Sequence, residues 1–366
     1  MSRTIVIGGG IVGTSVAYHL ASRGAETVIF DRKDKGRATD AGAGILSDTW
    51  ADFAVKAVRY YPELVERLES EQDGDTGYSR CGVLKVATSP DEVSAYEESK
   101  RIIFERQERR GYPPPDTLYE VSESRARELF PPLGRVEKAL YYENGARVDG
   151  KMFTRAMRRA AEGRNLKIEN KSVDNLVKED GSVAGVIAEG EDYEASNVVI
   201  AGGAWSREFG DQLGVRIPVE PQRGQIVHLG LGETDTSGWP IVSGFGDHYM
   251  VPWPDSRVAV GATRETGSGF NPHTTVAGIR EVLNETVRVA PGLEDAEIRE
   301  MRVGLRPYKE DLLPVLGSVP GFENVYLATG HGPTGLQLGP YSGKLVADLI
   351  LGEELETDIS AFRLEK

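Results

Sequence analysis

Gly8, Gly10 and Gly13 stand at G-x-G-x-x-G spacing, and Asp31 follows eighteen residues after the last of them. Between an apolar strand and a helix, that spacing is chemistry for a dinucleotide. Gly8 permits a tight turn, Gly10 lets backbone approach a pyrophosphate, and Gly13 lets helix and strand pack closely. A helix opening at Ile11 and Val12 would offer free N–H groups and a positive dipole end to the phosphates. Asp31 would accept hydrogen bonds from a ribose diol. Small residues recur at 36–44 (Gly-Arg-Ala-Thr-Asp-Ala-Gly-Ala-Gly), where backbone can lie close to something flat or bulky. Ala201-Gly202-Gly203-Ala204-Trp205 ends a further apolar run, which fits either a cofactor flank or a tight structural turn. The five histidines do not pair at metal-ligand spacing, and no Ser/His/Asp triad is evident. No metal site is expected.

The elements that must hold these residues follow from apolar periodicity. Residues 4–7 predict a buried parallel strand, residues 11–23 a helix burying Val12, Val16, Tyr18, Leu20 and Ala21, and residues 26–30 a second strand ending on Asp31. Helices are expected at 52–71, 89–110, 122–130, 151–163 (with Asp149 as N-cap), 276–289 and 341–351. Strands are expected at 78–88, 139–142, 166–169, 172–178, 183–188 and 197–200, with a hairpin turn at Glu179-Asp180-Gly181. Residues 217–229, 248–252 and 257–263 alternate as in an antiparallel sheet with one covered face, and 324–330 reads as a buried strand.

The 366 residues exceed one average domain, so two closely packed domains are expected. A net charge of −14 without a basic face argues against nucleic acid as a partner. The single cysteine, Cys81, allows no intrachain disulfide and no cysteine metal site. The first strand starts close to Met1 and no apolar run reaches the roughly twenty residues of a membrane span. A cytoplasmic protein is expected, with peripheral membrane contact left open.

Six separated segments together resemble one family: Gly8 to Gly13 with Asp31, 38–44, 198–205, 251–263, 305–317 and 329–335. The chain resembles the D-amino-acid oxidase superfamily of FAD enzymes, in its glycine oxidase, sarcosine oxidase and bacterial D-amino-acid dehydrogenase branch. The resemblance implies an α/β fold (α+β overall) in which a discontinuous Rossmann-like FAD-binding domain (1–50, 139–206 and 303–366) carries a mixed-sheet substrate-binding cap domain (51–138 and 207–302). It also implies FAD rather than NAD. The ADP half would be held by Gly8, Gly10, Ile11, Val12, Gly13, Asp31, Arg32 and Val173. Thr39, Ala41, Gly42, Gly44 and Ile45 would lie beside the flavin, with Ala201, Gly202 and Trp205 flanking it. Arg306, Gly330, Gly332, Pro333, Thr334, Gly335 and Leu336 would close over its far end. Family members with covalent flavin use a histidine in the early loop or a nearby cysteine. Residues 33–44 contain neither, so noncovalent FAD is expected. Pro333-Thr334 fills a stretch where the glycine oxidase branch often has a basic or amide residue.

By the same resemblance, Arg306 grips a substrate carboxylate, Tyr249 assists it, and His331 contacts flavin or substrate. The implied reaction is oxidative deamination of a D-amino acid to a 2-oxo acid and ammonia, by hydride transfer from the α-carbon to flavin N5. Oxygen or a quinone would accept the electrons. Glycine or sarcosine oxidation, 2-hydroxyacid dehydrogenation and a flavoprotein subunit of a larger complex remain open alternatives, as does oligomeric state.

Overall fold

The continuous apolar runs at 4–7, 26–30 and 197–200 suit strands covered on both faces, and that is how the chain uses them. A computed structural model describes residues 3–47, 51–179, 181–245 and 248–365. Six strands form a sheet in the order Val315–Ser318, Val325–Thr329, Asn197–Ile200, Arg3–Ile7, Glu26–Phe30, Leu166–Glu169. All neighbours are parallel except the antiparallel edge strand Val315–Ser318. Side chains alternate between its two faces. Ile5, Ile7, Val28, Phe30, Val198 and Leu327 pack under a three-stranded antiparallel sheet through Leu176, Val186 and Ala188. Val6, Ile29, Val199 and Ala328 pack under the helices Ile11–Ser22 and Gly335–Leu351. Outside those helices lie Asp52–Glu71 and Gly150–Ala161, sharing a core that includes Tyr61, Leu64, Phe153 and Leu345.

The second sheet has nine strands and is mixed, because Ile241–Ser243 pairs parallel to Val83–Ala87 while its other pairings are antiparallel. One face carries Leu84, Val227, Val242, Met250 and Val260, packed on Val282 and Val289 of the helix Val276–Val289. The other face turns Val83, Ile241, Tyr249 and Val251 toward Ala43 and Ile45 of the first unit. The site lies between these two sheets.

Several helix bounds match their caps. Ser122 Oγ accepts from Arg125 N and Asp149 Oδ1 from Met152 N, as N-cap residues do. The expected strand 78–88 divides in two. Tyr78–Arg80 pairs with Ala146–Val148, and Val83–Ala87 joins the large sheet. The chain changes sheets at Gly82, whose φ of +77° is open to glycine. The final helix begins at Gly335, six residues before its expected start, despite Pro340 within it. Proline removes a donor to the Leu336 carbonyl, and the Tyr61 hydroxyl takes its place there. The segment 303–307 belongs to a longer strand, Glu297–Tyr308, paired along its length with Glu220–Gly230. The turn expected at 179–181 includes Asp180, which lies outside the described residues.

The expected domain limits cut across two of these layers. Lys138–Tyr142 pairs in the nine-stranded sheet, and Asp52–Glu71 is in the core of the dinucleotide unit. No described helix is long and apolar enough to cross a membrane.

Candidate active site

In a doubly wound sheet, ligands bind in the crevice beyond the carboxyl ends of the strands. Here Ile7, Phe30, Ala201 and Thr329, at or just past four strand ends, line one elongated cavity of about 570 Å³. Every residue expected at the site lines it except Gly13 and Gly330.

The dinucleotide end is built by glycine. Gly8 has φ +111°, its N–H donates to Phe30 O at 2.8 Å, and a Cβ on it would stand 2.5 Å from Ala201 O. Gly13 sits behind the cavity wall, where a Cβ would run into the Gly8 carbonyl oxygen. It acts through packing, since it lets the helix lie against the turn. The helix Ile11–Ser22 has no acidic residue in its first turn, and Thr39 Oγ1 accepts the Ile11 N–H at 3.0 Å. Asp31 is buried between two guanidinium groups. Its Oδ2 accepts from Arg37 Nη1 at 3.1 Å and Arg158 Nη2 at 3.2 Å, while Lys33 N reaches Oδ1 at 3.3 Å. Both arginines also donate to Gly9 O. Arg37 belongs to the small-residue stretch 36–44 but had no role assigned from sequence, and nothing local marks Arg158, which comes from the helix Gly150–Ala161. Arg32 forks onto Glu208 at 3.0 and 3.1 Å, beside the Trp205 ring. Val173, Gly202 and Trp205 complete this end of the lining.

Ala41, Gly42, Gly44 and Ile45 also line the cavity, as do Gly332, Pro333, Thr334, Gly335 and Leu336, and Gly42 lies close against the Leu336 side chain. Gly44 has φ +74° and lies hard against Val148 O. Gly330, at φ +76°, turns the chain out of the strand Val325–Thr329. The final helix, like the first, has no acidic residue in its opening turn, and its first residues also reach the cavity.

His331 lines the cavity but its ring is 1% exposed, with Nε2 3.0 Å from Ser342 Oγ of the final helix. Its Nδ1 is buried without a hydrogen-bond partner. Burial lowers its pKa to about 4. The folded state therefore resists a proton that the unfolded state takes up near pH 6.5. This stabilisation, roughly 3 kcal/mol at most, is present above pH 6.5 and is lost as the pH falls toward 4. His331→Gln is expected to reduce the acid-side fall of Tm over that interval; an unchanged fall would refute the assignment. His228, also lowered to about 4 by burial, keeps the fall from vanishing.

The opposite end belongs to the nine-stranded sheet. Arg306 Nη1 donates to Thr263 O at 2.8 Å. Its guanidinium lies over Gly224, where a Cβ would collide with it. Tyr249 is held as a phenol by burial, against the opposing pull of Arg306 and Arg264. Lys85, Ser243, His248 and Arg264 line this end as well. The sequence reading missed Lys85 and Arg264. Gly224, a glycine inside a strand, was the available sign of a close approach.

Two helix N-termini free of acids, glycine-permitted approaches and a buried carboxylate at the end of the second strand fit FAD. The family model described as FAD dependent oxidoreductase (DAO) matches residues 3–349. The chain belongs to this family. It is an FAD-dependent oxidoreductase with the family's Rossmann-like cofactor fold. A relative, the uncharacterized oxidoreductase YurR of Bacillus subtilis, is 36% identical, with 99% of this chain and 98% of that protein covered. The glycine oxidase of Bacillus licheniformis is 30% identical over 99% of this chain and 97% of its own. Among solved structures, the iminodiacetate oxidase of Chelativorans sp. BNC1 superposes with a TM-score of 0.93, at 37% identity and full coverage of both chains.

Proposed function

We propose that this enzyme oxidises the Cα–N bond of a small amine bearing an α-carboxylate, giving a 2-oxo acid and ammonia or a smaller amine. The observation that carries the reading is Arg306, set beside Tyr249 at the sheet end of the cavity. A guanidinium fork suits a bidentate grip on a carboxylate, and the Tyr249 phenol is a donor for the same group. Bound FAD would supply the acceptor for two electrons and the α-hydrogen. The oxidised Cα–N bond is a C=N, and addition of water to it releases ammonia or the smaller amine and leaves the 2-oxo acid. The chain need only fix the carboxylate, orient the α-C–H and exclude bulk water.

Three features support noncovalent FAD in the long cavity. Asp31 would take the ribose, the opening of the Ile11–Ser22 helix the pyrophosphate, and the Gly335–Leu351 helix the flavin's carbonyl edge. Cys81 is not among the lining residues and its thiol pKa is raised by burial. Acid precipitation is expected to release the yellow colour into the supernatant; a coloured pellet would mean a covalent bond.

Glycine, N-substituted glycines and D-amino acids share the required group. The relatives named glycine oxidase and iminodiacetate oxidase favour the small, achiral members. The test is anaerobic mixing with glycine, sarcosine, iminodiacetate, D- and L-amino acids and 2-hydroxy acids, followed at the flavin band near roughly 450 nm. Bleaching by amines is the expected result. Bleaching by hydroxy acids alone, or by nothing, would overturn the proposal. Readmitting air then tells oxygen from other acceptors.

A further inference from the structure

Three glycines in a row open the dinucleotide turn, and the fingerprint accounts for the outer two. Gly9 stands at the free position between Gly8 and Gly10, where the spacing asks for no particular residue. The structure supplies the reason. A Cβ on Gly9 would run into Asp31 Oδ2 and Arg158 Nη2. That space holds a brace linking the turn, the end of the strand Glu26–Phe30 and the helix Gly150–Ala161.

Arg158 Nη2 donates both to Gly9 O and to Asp31 Oδ2. Arg37 repeats the pair through Nη2 and Nη1. Thr14 Oγ1 also donates to Gly9 O, at 3.3 Å. Thr14 and Arg158 are not among the cavity-lining residues, whereas Gly10 and Asp31 are. The Gly9–Gly10 peptide is trans, so its N–H points opposite to its C=O. With the carbonyl drawn back to Thr14 and Arg158, the Gly10 N–H is turned toward the cavity. The carboxylate is turned in the same sense. Oδ2 has both lone pairs on guanidinium groups. Among the described residues Oδ1 takes the Lys33 N–H alone, at 3.3 Å, and keeps a lone pair for a further donor.

We propose that Arg158 is the positioning residue for the adenosine half of FAD. It acts through Asp31 and the Gly9 peptide, setting the carboxylate for the ribose and the Gly10 N–H for the pyrophosphate. Arg37 shares the brace but lines the cavity itself, so Arg158 is the member whose effect is indirect. The inference rests on noncovalent FAD in the cavity, as proposed above.

FMN ends at its one phosphate and carries no adenosine, so it separates this role from a tie that only secures the helix. The test incubates holoenzyme with an excess of FMN, removes unbound flavin, precipitates the protein with acid and quantifies both flavins in the supernatant. In Arg158→Met the retained FAD-to-FMN ratio is expected to fall roughly 10- to 100-fold below wild type, the yield of one charged hydrogen bond. The dissociation constant of FAD, read from the flavin fluorescence that returns on dilution, is expected to rise by a similar factor. Arg158→Gln leaves a polar group at the half-buried position and carries the same expectation should the methionine variant not fold. A wild-type ratio in a folded variant would overturn the inference. Equal weakening of FAD and FMN would overturn it too, because that is the signature of a tie alone. Wild-type flavin left in the acid pellet would overturn the noncovalent reading and this inference with it, whereas the first two outcomes overturn this inference by itself.

Discussion

Replacing Arg306 by leucine is expected to lower kcat/KM for carboxylate-bearing amines by roughly 10²- to 10³-fold, the usual result of removing one partner from a buried charge pair. The guanidinium is already aimed, because Thr263 O holds Nη1 and Gly224 leaves space beneath it. Little freedom remains to be lost when substrate binds, so nearly all of the interaction is available for holding the α-carbon in place. Leucine keeps the bulk and removes the fork. The Tyr249 phenol would stay, with one of its two neighbouring cations gone. Arg306→Lys should recover part of the loss only, because an ammonium cannot make two parallel bonds to a carboxylate. Steady-state kinetics, normalised to bound flavin, give the measurement. A loaded Arg306→Leu enzyme with wild-type kcat/KM would refute the carboxylate grip.

The second large effect is expected at Gly13, which never reaches the cavity. Alanine there would drive its Cβ into the Gly8 carbonyl oxygen and bring it within 3.1 Å of Ala201 Cβ. The first contact is with backbone, so no side-chain rotation relieves it. The helix Ile11–Ser22 must then move off the strand Arg3–Ile7, taking with it the N–H groups that face the cavity. Overpacking of this kind costs roughly 1–3 kcal/mol. Gly13→Ala should therefore purify with little or no flavin and unfold at lower denaturant concentration than wild type. Full flavin content and an unchanged midpoint would show that the helix position matters less than the packing suggests. Gly238 makes a useful control: its added Cβ meets nothing within 4 Å, and it does not line the cavity.

What sequence alone could reveal depended on how far apart the cooperating residues lie. The dinucleotide end is encoded locally. Gly8, Gly10, Gly13 and Asp31 fall within one strand–helix–strand unit, and each answers a backbone demand that few other residue types meet. Apolar periodicity likewise marked the long helices Asp52–Glu71 and Val276–Val289 at their observed bounds. Short elements were less legible. Ile241–Ser243 and Leu118–Val121 become strands because neighbouring strands pair with them, and their own pattern is too brief to announce it.

The sheet end of the cavity was settled only by tertiary structure. Lys85, Tyr249, Arg264 and Arg306 come from widely separated parts of the chain, and strand pairing brings them to one end of the cavity. A register shift of one residue would turn any strand's side chains to the opposite face, so periodicity cannot say which of them look inward. Arg158 reaches Asp31 from a helix that shows no sign of a binding role. His331, which the sequence left between flavin and substrate, places Nε2 against Ser342 because the final helix begins at Gly335 and carries that hydroxyl past it. Local backbone constraint made the cofactor end readable; pairing across the sheet, which depends on the whole chain, decided what lines the other end of the cavity.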